Sequence, residues 1–423
     1  MLKVLHGYAF KSENYVEKSQ YRLATLGNFE EGNNSFKFND DKATYYGADF
    51  PKEFVLHPGD LIMPLTEQVV GLFGNSAFVP KSDKYTFVLN QRVGKVVCDE
   101  TKVDRYFVHY LLAMDLVKKQ LEAKASGTQQ RNISPNDIYD IDVFIPELDI
   151  QKRIGRFLYS IEIKQKNNTA ICSDLEATAK LLYNYWFVQF DFPDENGKPY
   201  KFSGGKMVWN EELKREIPEG WEVKTLGEFI SVIRGVSYKP SDELKSSSNN
   251  SISLLKSNNI QNGTINFEQP VLLPSEIANN DQWLTQGSVF ITMSSGSKAH
   301  MGKTALVFKD LPFVFGAFCA KIDIAKSVRG YLSTYFRSEW FRTYIENVTA
   351  GTSINNIGNE QLTSIKLPFP NIEIQKQFEN YLIPMYTQQG ELEDENQQLA
   401  SLRDFLLPML MNGQVKVGKG AIQ

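Results

Sequence analysis

The chain contains an internal repeat, and this repeat restricts the possible folds more than any other feature of the sequence. Residues 127–152 align without a gap with residues 351–376, and nine of the 26 paired positions are identical, where unrelated segments would share about two. The identical residues of the first copy are Gly127, Thr128, Asn132, Ile133, Ile141, Pro146, Ile150, Gln151 and Lys152. Such similarity at a fixed separation predicts one structural unit that occurs twice.

The similarity extends upstream, and it predicts what each copy folds into. The segment VLHGYAFK (4–11) falls on VIRGVSYK (232–239), at a separation of 228 residues instead of 224. In each copy, short β-rich runs with turn residues between them precede a helical stretch, near 103–121 and near 327–346. Because strands and helices do not alternate regularly, we predict an α+β fold.

Each copy ends in a long heptad pattern. Apolar residues alternate at spacings of four and three, which is typical of the seam of a coiled coil. The predicted seam consists of Ile154, Leu158, Ile161, Leu175, Leu182, Phe378, Leu382, Met385, Leu392, Leu399 and Leu406. We expect the two helices to pack against each other, with Pro384 bending the second helix and Pro408 disturbing its end.

These patterns divide the chain into six segments. A stretch rich in Gly, Pro and charged residues between the copies is typical of a linker. The predicted segments are a first globular unit (1–146), a first long helix (147–190), a linker (191–216), a second globular unit (217–370), a second long helix (371–412) and a tail (413–423).

The composition argues against several classes of site and location. The three cysteines and four histidines are far apart, with no CxxC or HExxH motif, so neither a disulfide framework nor a metal site is expected. The N-terminal segment lacks the apolar core of a signal peptide, and no apolar run approaches the roughly 18 residues that a membrane helix needs. We therefore expect a cytoplasmic protein that does not associate with a membrane.

Motifs of catalysis are also missing. The segment GSKAHMGKT (296–304) is one residue too long for a P-loop, and Pro193, Asp194 and Lys198 lack the spacing of a nuclease motif. The sequence contains neither the (D/N/S)PP(Y/F) tetrapeptide of amino-methyltransferases nor a GxSxG motif. A binding protein is favoured; a stand-alone methyltransferase or nuclease, and a coiled-coil scaffold that never meets DNA, remain the alternatives.

The repeat and the linker carry a recognisable pattern. Each copy has a GT…P…IQK element that leads into its long helix; the first helix closes with LEATAKLLYNYWFVQFDFP and the second with LRDFLLPMLMNGQVKV. Together with the linker ENGKPYKFSGGKMVWNEELKREIPEGWEVKTLG, this pattern resembles the specificity subunit of type I restriction-modification systems over nearly the whole chain.

The resemblance implies a fold and a function. Each globular unit would be a target recognition domain that reads one half of a bipartite DNA site, and two antiparallel coiled-coil helices would separate the domains and set the spacer. The subunit would be noncatalytic and hold no cofactor. Its expected partners are double-stranded DNA, two modification subunits that carry S-adenosylmethionine, and the restriction motor-nuclease subunits.

One part of the sequence departs from this pattern. The segment PEGWEVKTLGEFI (218–230) leads into the second unit, whereas the first unit begins directly with MLKVLHG. We therefore expect the first unit to lack one edge element, and the tail (residues 415–423) to cover the gap.

DNA contacts require donors for phosphates and base edges. Loops rich in such donors supply the candidates Lys11, Asn90, Gln91, Arg92, Thr128, Gln129, Gln130, Arg131, Lys239, Lys256, Asn258, Asn259, Ser294, Ser295, Lys298, Thr352, Ser353 and Asn355. We expect joint replacement of Arg92 and Arg131 by alanine to weaken DNA binding.

The net charge limits how these candidates act. The chain carries 46 basic and 50 acidic residues, a formal charge of −4, and neither globular unit is strongly basic. Phosphate attraction alone would hold DNA poorly, so we expect the partner subunits to supply much of the grip on the duplex.

Overall fold

The computed structural model describes residues 1–29, 34–38, 40–68, 70–349 and 356–418. It divides into two compact units. Unit 1 comprises Met1–Asn167 and Asn396–Gln423, and unit 2 comprises Asn168–Glu395. Two long helices, α4 (Leu148–Tyr183) and α8 (Ile372–Met411), each contribute residues to both units.

Unit 1 is a mixed α+β unit. Its strands are β1 (Leu2–His6), β2 (Tyr15–Val16), β3 (Tyr21–Ala24), β4 (Tyr45–Tyr46), β5 (Leu61–Pro64), β6 (Thr66–Glu67), β7 (Ala77–Phe78), β8 (Thr86–Leu89), β9 (Val93–Cys98) and β10 (Arg131–Asn132). Its short helices are α1 (Arg105–Leu112), α2 (Asp115–Lys124) and α3 (Pro135–Tyr139). An antiparallel sheet has the order β1-β9-β5-β7, and a second sheet, β2-β4-β3-β8, joins β3 and β8 in parallel. Helix residues such as Phe107 and Leu121 are buried against the first sheet.

Unit 2 repeats this plan. Its strands are β11 (Met207–Asn210), β12 (Arg215–Pro218), β13 (Glu222–Thr225), β14 (Ile230–Arg234), β15 (Ser251–Leu255), β16 (Ile260–Gln261), β17 (Thr264–Ile265), β18 (Val271–Pro274), β19 (Val289–Thr292), β20 (Thr304–Leu306), β21 (Phe313–Phe315), β22 (Cys319–Ile324) and β23 (Lys366–Phe369). Its short helices are α5 (Arg329–Tyr335), α6 (Glu339–Thr349) and α7 (Asn359–Thr363). The order β14-β22-β19-β20 matches β1-β9-β5-β7, and the parallel pair β15–β21 matches β3–β8. The predicted α+β repeat is confirmed.

A repeated glycine explains one part of the sequence similarity. A Cβ atom on Gly7 would lie 2.0 Å from the carbonyl oxygen of Asn90, and one on Gly235 would lie 2.2 Å from that of Phe315. These glycines follow the equivalent strands β1 and β14, where the chain passes directly over the end of β8 or β21. Only a residue without a side chain permits this approach.

A repeated glutamine explains another part. The Gln151 side chain donates to the carbonyl oxygen of Pro146 (2.8 Å), and Gln375 donates to that of Pro370 (2.7 Å). Gln151 also accepts a hydrogen bond from the backbone N–H of Asp104, at the start of α1. The IQK element therefore fixes the beginning of each long helix to the globular unit that precedes it.

The first long helix, α4, continues beyond Tyr183 into a wider π-helical turn, Asn184–Val188. Within unit 2, α4 and α8 pack antiparallel: the side chain of Asn168 donates to Glu395 (2.7 Å), and that of Gln389 donates to the carbonyl oxygen of Cys172 (2.9 Å). Polar side chains thus connect the two helices within unit 2. Helix α8 continues through Pro384 and ends at Met411, three residues beyond Pro408.

The globular cores anchor one end of each long helix. Of the predicted seam, Ile154, Leu158, Ile161, Phe378 and Leu382 are buried, and Leu175, Leu182, Met385, Leu392, Leu399 and Leu406 are half-buried. Ile154 and Leu158 share the core of unit 1 with Phe107, and Phe378 shares the core of unit 2 with Trp186. The apolar stripe is therefore partly a domain core and only partly a two-helix seam.

Two connections differ between the copies. In unit 2, β13 pairs with β23, whereas the equivalent residues 142–145 form no strand among the described residues of unit 1. Val417 of the tail packs against the unit 1 core, and its carbonyl oxygen accepts a hydrogen bond from Arg153 (2.9 Å). The segment predicted as a plain linker, 191–216, contains β11 and the start of β12, which form a hairpin.

Two classes of structure are missing from the described part of the chain. None of its helices is both long enough and apolar enough to span a bilayer. No group of histidine, cysteine or acidic side chains there has the arrangement of a metal site.

Candidate nucleic-acid interface

In unit 1, the candidate residues lie around the β8–β9 turn, residues 90–93. A hydrogen bond from the N–H of Val93 to the carbonyl oxygen of Asn90 (2.9 Å) closes this turn. Backbone hydrogen bonds also connect it to the ends of β3, β1 and β5; they join Asn90 to Ala24, Gln91 to Tyr8 and Leu65 to Arg92, with N···O distances of 3.4, 3.0 and 2.9 Å. Three strand ends therefore hold the turn in a fixed position.

One side chain of this turn supports its backbone, and the others are accessible to solvent. Asn90 is buried; its Nδ2 donates to Gln91 (3.1 Å), and its Oδ1 accepts from the N–H of Arg92 (3.3 Å). Gln91 is exposed and Arg92 is half-buried. Lys11, three residues beyond Tyr8, is exposed and lies 3.8 Å from Glu13.

A second loop of unit 1, residues 127–130, begins with a conformational requirement. Gly127 has φ +108°, a value that favours glycine, and a Cβ atom there would lie 2.1 Å from the carbonyl oxygen of Gln130. In the first copy this glycine therefore has a structural reason; its counterpart, Gly351, lies outside the described residues. Thr128 and Gln129 are exposed, while the half-buried Gln130 donates to Asn132 (3.3 Å).

Arg131, which follows this loop as the first residue of β10, is a structural residue in unit 1. Its guanidinium lies 3.2 Å from the carboxylate of Glu67, which is 1% exposed, and it donates to the carbonyl oxygen of Glu122 (2.9 Å). The same group lies over the ring of Phe73. Its replacement would disturb the fold as well as any DNA contact, so the double variant with Arg92 does not isolate a DNA contact.

Unit 2 builds the equivalent β21–β22 turn, residues 316–319, in the same way. A hydrogen bond from the N–H of Cys319 to the carbonyl oxygen of Gly316 (2.8 Å) closes it. The bonds to neighbouring strand ends join Gly316 to Leu255, Ala317 to Val236 and Met293 to Phe318, at 2.9, 2.9 and 2.8 Å. Because Lys256 follows Leu255, and Ser294 follows Met293, the loops with the candidate donors begin at this turn.

Among the candidates of unit 2, one also supports a loop and the others are accessible to solvent. Lys239, Lys256, Asn258 and Lys298 are exposed, and Ser294 and Ser295 are half-buried. Asn259 is buried: its amide donates to the carbonyl oxygens of Asn266 (2.8 Å) and Glu268 (3.0 Å), which favours a structural role. Thr352, Ser353 and Asn355 lie outside the described residues.

Sequence reasoning missed one exposed side chain of this region, Phe318, because a phenylalanine ring carries no hydrogen-bond donor. It occupies the third position of the β21–β22 turn, as Arg92 does in the β8–β9 turn, and it is 69% exposed. The alignment of the two copies could have identified this position. The strands β9 and β22 align at a separation of 226 residues, so Phe318 is the counterpart of Arg92.

The electrostatics of this region suit binding better than catalysis. No ion pair of Lys239, Lys256 or Lys298 occurs among the described residues, so these three positive charges face solvent uncompensated. Burial raises the pKa of the neighbouring Cys319 thiol to about 12, against the opposing charge of Arg234, so the thiol stays protonated.

Comparison with known proteins shows that both copies of the repeat match one protein family. A family model described as the type I restriction modification DNA specificity domain matches residues 1–177 and again 218–400. The two matches coincide with the two copies of the repeat and together cover most of the chain.

Individual relatives carry the same description. The chain is 30% identical over 205 residues to the type I restriction enzyme StySPI specificity subunit of Salmonella potsdam, and 30% over 207 residues to the EcoKI specificity subunit of Escherichia coli K12. Each match covers 47% of this chain and 44% of the relative, so it spans less than half of the relative's length. The MjaIX specificity subunit of Methanocaldococcus jannaschii is 23% identical over 340 residues, which cover 79% of this chain and 74% of that relative.

A solved structure shares the fold. The crystal structure of the type I restriction-modification S subunit from M. genitalium matches with a TM-score of 0.56 and 15% identity, covering 97% of this chain and 93% of that chain. At this identity the likeness concerns the fold alone. With a family model that matches both copies of the repeat, the chain belongs to the type I restriction modification DNA specificity family.

Proposed function

We propose that this chain is the noncatalytic DNA-specificity subunit of a type I restriction-modification enzyme, and that each unit reads one half of a bipartite DNA target. One observation carries the proposal: both units build the same turn from equivalent strand ends but carry different side chains at its third position, the half-buried Arg92 in one and the exposed Phe318 in the other. A repeated frame with different surface chemistry is what two readers of different half-sites require.

The contacts divide by chemistry. We assign phosphate contacts, which position the protein without reading sequence, to the exposed lysines Lys11, Lys239, Lys256 and Lys298. Base edges are left to the shorter polar groups and the turn residues. Those are Gln91, Arg92, Thr128, Gln129, Gln130, Asn258, Ser294 and Ser295, with Thr352, Ser353 and Asn355 carried over from the sequence. Asn90, Arg131 and Asn259 support the loops.

We further propose that the long helices bind two modification subunits, set the spacer, and leave S-adenosylmethionine to those partners. Both helices expose apolar side chains to solvent: in unit 2, Leu181, Tyr381 and Ile383, and in unit 1, Leu402 and Phe405. Exposed apolar surface of this kind is typical of a protein-protein contact. Restriction motor-nuclease subunits would join the same assembly, in the cytoplasm.

The decisive experiment exchanges one reader. Residues 217–370 are replaced by the equivalent segment of a relative with a different target, the chimera is coexpressed with its modification subunits, and adenine methylation is mapped across the genome. We expect one half of the methylated sequence to change and the other half and the spacer to stay. The reciprocal exchange of residues 1–146 is the matched control and should change the opposite half. An unaltered site in both chimeras would refute the modular reader.

Two alternatives are tested with the same material. Methyl transfer from S-adenosylmethionine by the purified chain alone would identify a stand-alone methyltransferase, and DNA cleavage by it would identify a nuclease. Undiminished bipartite methylation after deletion of the gene would favour a scaffold that does not specify DNA. We expect no transfer, no cleavage and complete loss of methylation.

A further inference from the structure

Phe318 is an exposed aromatic residue of unit 2 whose backbone is held by neighbouring strand ends. Its carbonyl oxygen accepts from the N–H of Met293 (2.8 Å) and of Ser294 (3.0 Å), and the turn is closed between Gly316 and Cys319. Scattered exposed apolar side chains are ordinary on protein surfaces. An aromatic ring held at the meeting point of three strand ends, with most of its surface in solvent, is positioned for a partner that enters from outside.

The surroundings of Phe318 indicate which partner enters. The loops that begin beside it carry Lys256 and Lys298, neither of which is neutralised by an ion pair in the described residues. Ser294 and Ser295 add small polar groups. Positive charge around a rigid apolar residue matches the DNA duplex, which presents phosphates at the edge of a groove and both polar and apolar groups on its floor.

The chemistry of the base edges indicates which base Phe318 would contact. In the major groove the only apolar feature of a base edge is the C5-methyl group of thymine, and apolar side chains recognise it by contact. Phenylalanine has no hydrogen-bonding group with which to read any other base there. The equivalent position in unit 1 carries Arg92, whose guanidinium matches the two acceptors of guanine.

Resting on the function proposed above, we propose that Phe318 is a specificity-determining residue that contacts the C5-methyl group of a thymine in the half-site read by unit 2. The β21–β22 turn is then the base-reading element of unit 2, and the β8–β9 turn is its counterpart in unit 1. The two half-sites differ at this point because the residue at the third turn position differs.

The test removes the methyl group without changing base pairing. The half-sites are first mapped by genome-wide methylation, and duplexes are then made with each thymine of the unit 2 half-site replaced in turn by uracil. Affinity is measured for the assembled methyltransferase with wild-type chain and with Phe318→Ala. We expect one thymine at which uracil weakens wild-type binding about fourfold, the effect of one buried methyl group, and no such discrimination in the variant.

The matched control is Phe202→Ala, which removes an even more exposed phenylalanine (86%, against 69% for Phe318) from the segment between the repeats. It should retain the wild-type preference for thymine over uracil. Full preference in Phe318→Ala would overturn the inference, as would wild-type binding that ignores every uracil substitution. Either result leaves the proposed function standing, because that function fails only if the wild-type assembly shows no bipartite sequence preference.

Discussion

At the scale of single residues, Arg131 and Arg92 show why residue type alone does not identify a contact. Both are arginines in or next to loops at the same end of unit 1, and both suit DNA equally well in the sequence. The structure pairs Arg131 with a buried carboxylate 64 positions away in the chain, and it leaves Arg92 without a hydrogen bond from its guanidinium among the described residues. Long-range pairing of this kind leaves no local pattern from which to predict it.

This difference leads to a stability prediction. Arg131→Ala leaves the Glu67 carboxylate, which also accepts backbone hydrogen bonds from Leu72 and Phe73, without its cation in a buried site. Breaking such a pair costs about 3–5 kcal/mol, and we expect the free energy of unfolding in urea to fall by that amount. Arg92→Ala is the matched control and should change it by less than about 0.5 kcal/mol. Equal stability of the two variants would show that Glu67 does not depend on Arg131.

At the scale of elements, periodicity predicted the long helices well because a heptad pattern persists over many turns. The equivalence of the two copies was harder to predict in full. Their separation falls from 228 residues at β14 to 226 at β22 and 224 at α5, so a single ungapped comparison loses the register. The changes in separation lie in the connections between elements, where insertions cost little free energy. The pairing of β13 with β23 joins segments far apart in the chain and had no local signature.

The repeated glycine after β14 provides a prediction for this element. Gly235→Ala would force a Cβ atom to 2.2 Å from the Phe315 carbonyl oxygen, so we expect the free energy of unfolding of unit 2 to fall by about 1–3 kcal/mol. Gly316 is the matched control: its nearest neighbour would be a Leu254 methyl group at 3.4 Å, and its φ is not positive. Gly316→Ala should therefore be nearly neutral. The assay is thermal and urea unfolding, and equal loss in both variants would contradict the close approach.

At the scale of the whole molecule, the net negative charge is compatible with DNA binding. The net charge of −4 is spread over the chain, while the lysines at the two turns face solvent. Four exposed lysines, of which Lys11 also pairs with Glu13, give a weak, sequence-independent attraction and leave most of the contacts that hold DNA to other subunits. A specificity subunit that bound DNA tightly by itself would compete with its own assembled enzyme for the target.

DNA binding by the isolated chain should depend on salt through these four lysines. For the isolated chain we expect a Kd in the range of about 10⁻⁴–10⁻⁶ M at physiological salt, and a slope of log K against log salt near −4, because each phosphate contact contributes about −0.9. Replacement of Lys11, Lys239, Lys256 and Lys298 by alanine should flatten that slope towards zero. The assembled methyltransferase should bind more tightly and with a steeper slope, since its other subunits add phosphate contacts. Nanomolar binding by the isolated chain at physiological salt would mean that the units hold DNA without partners.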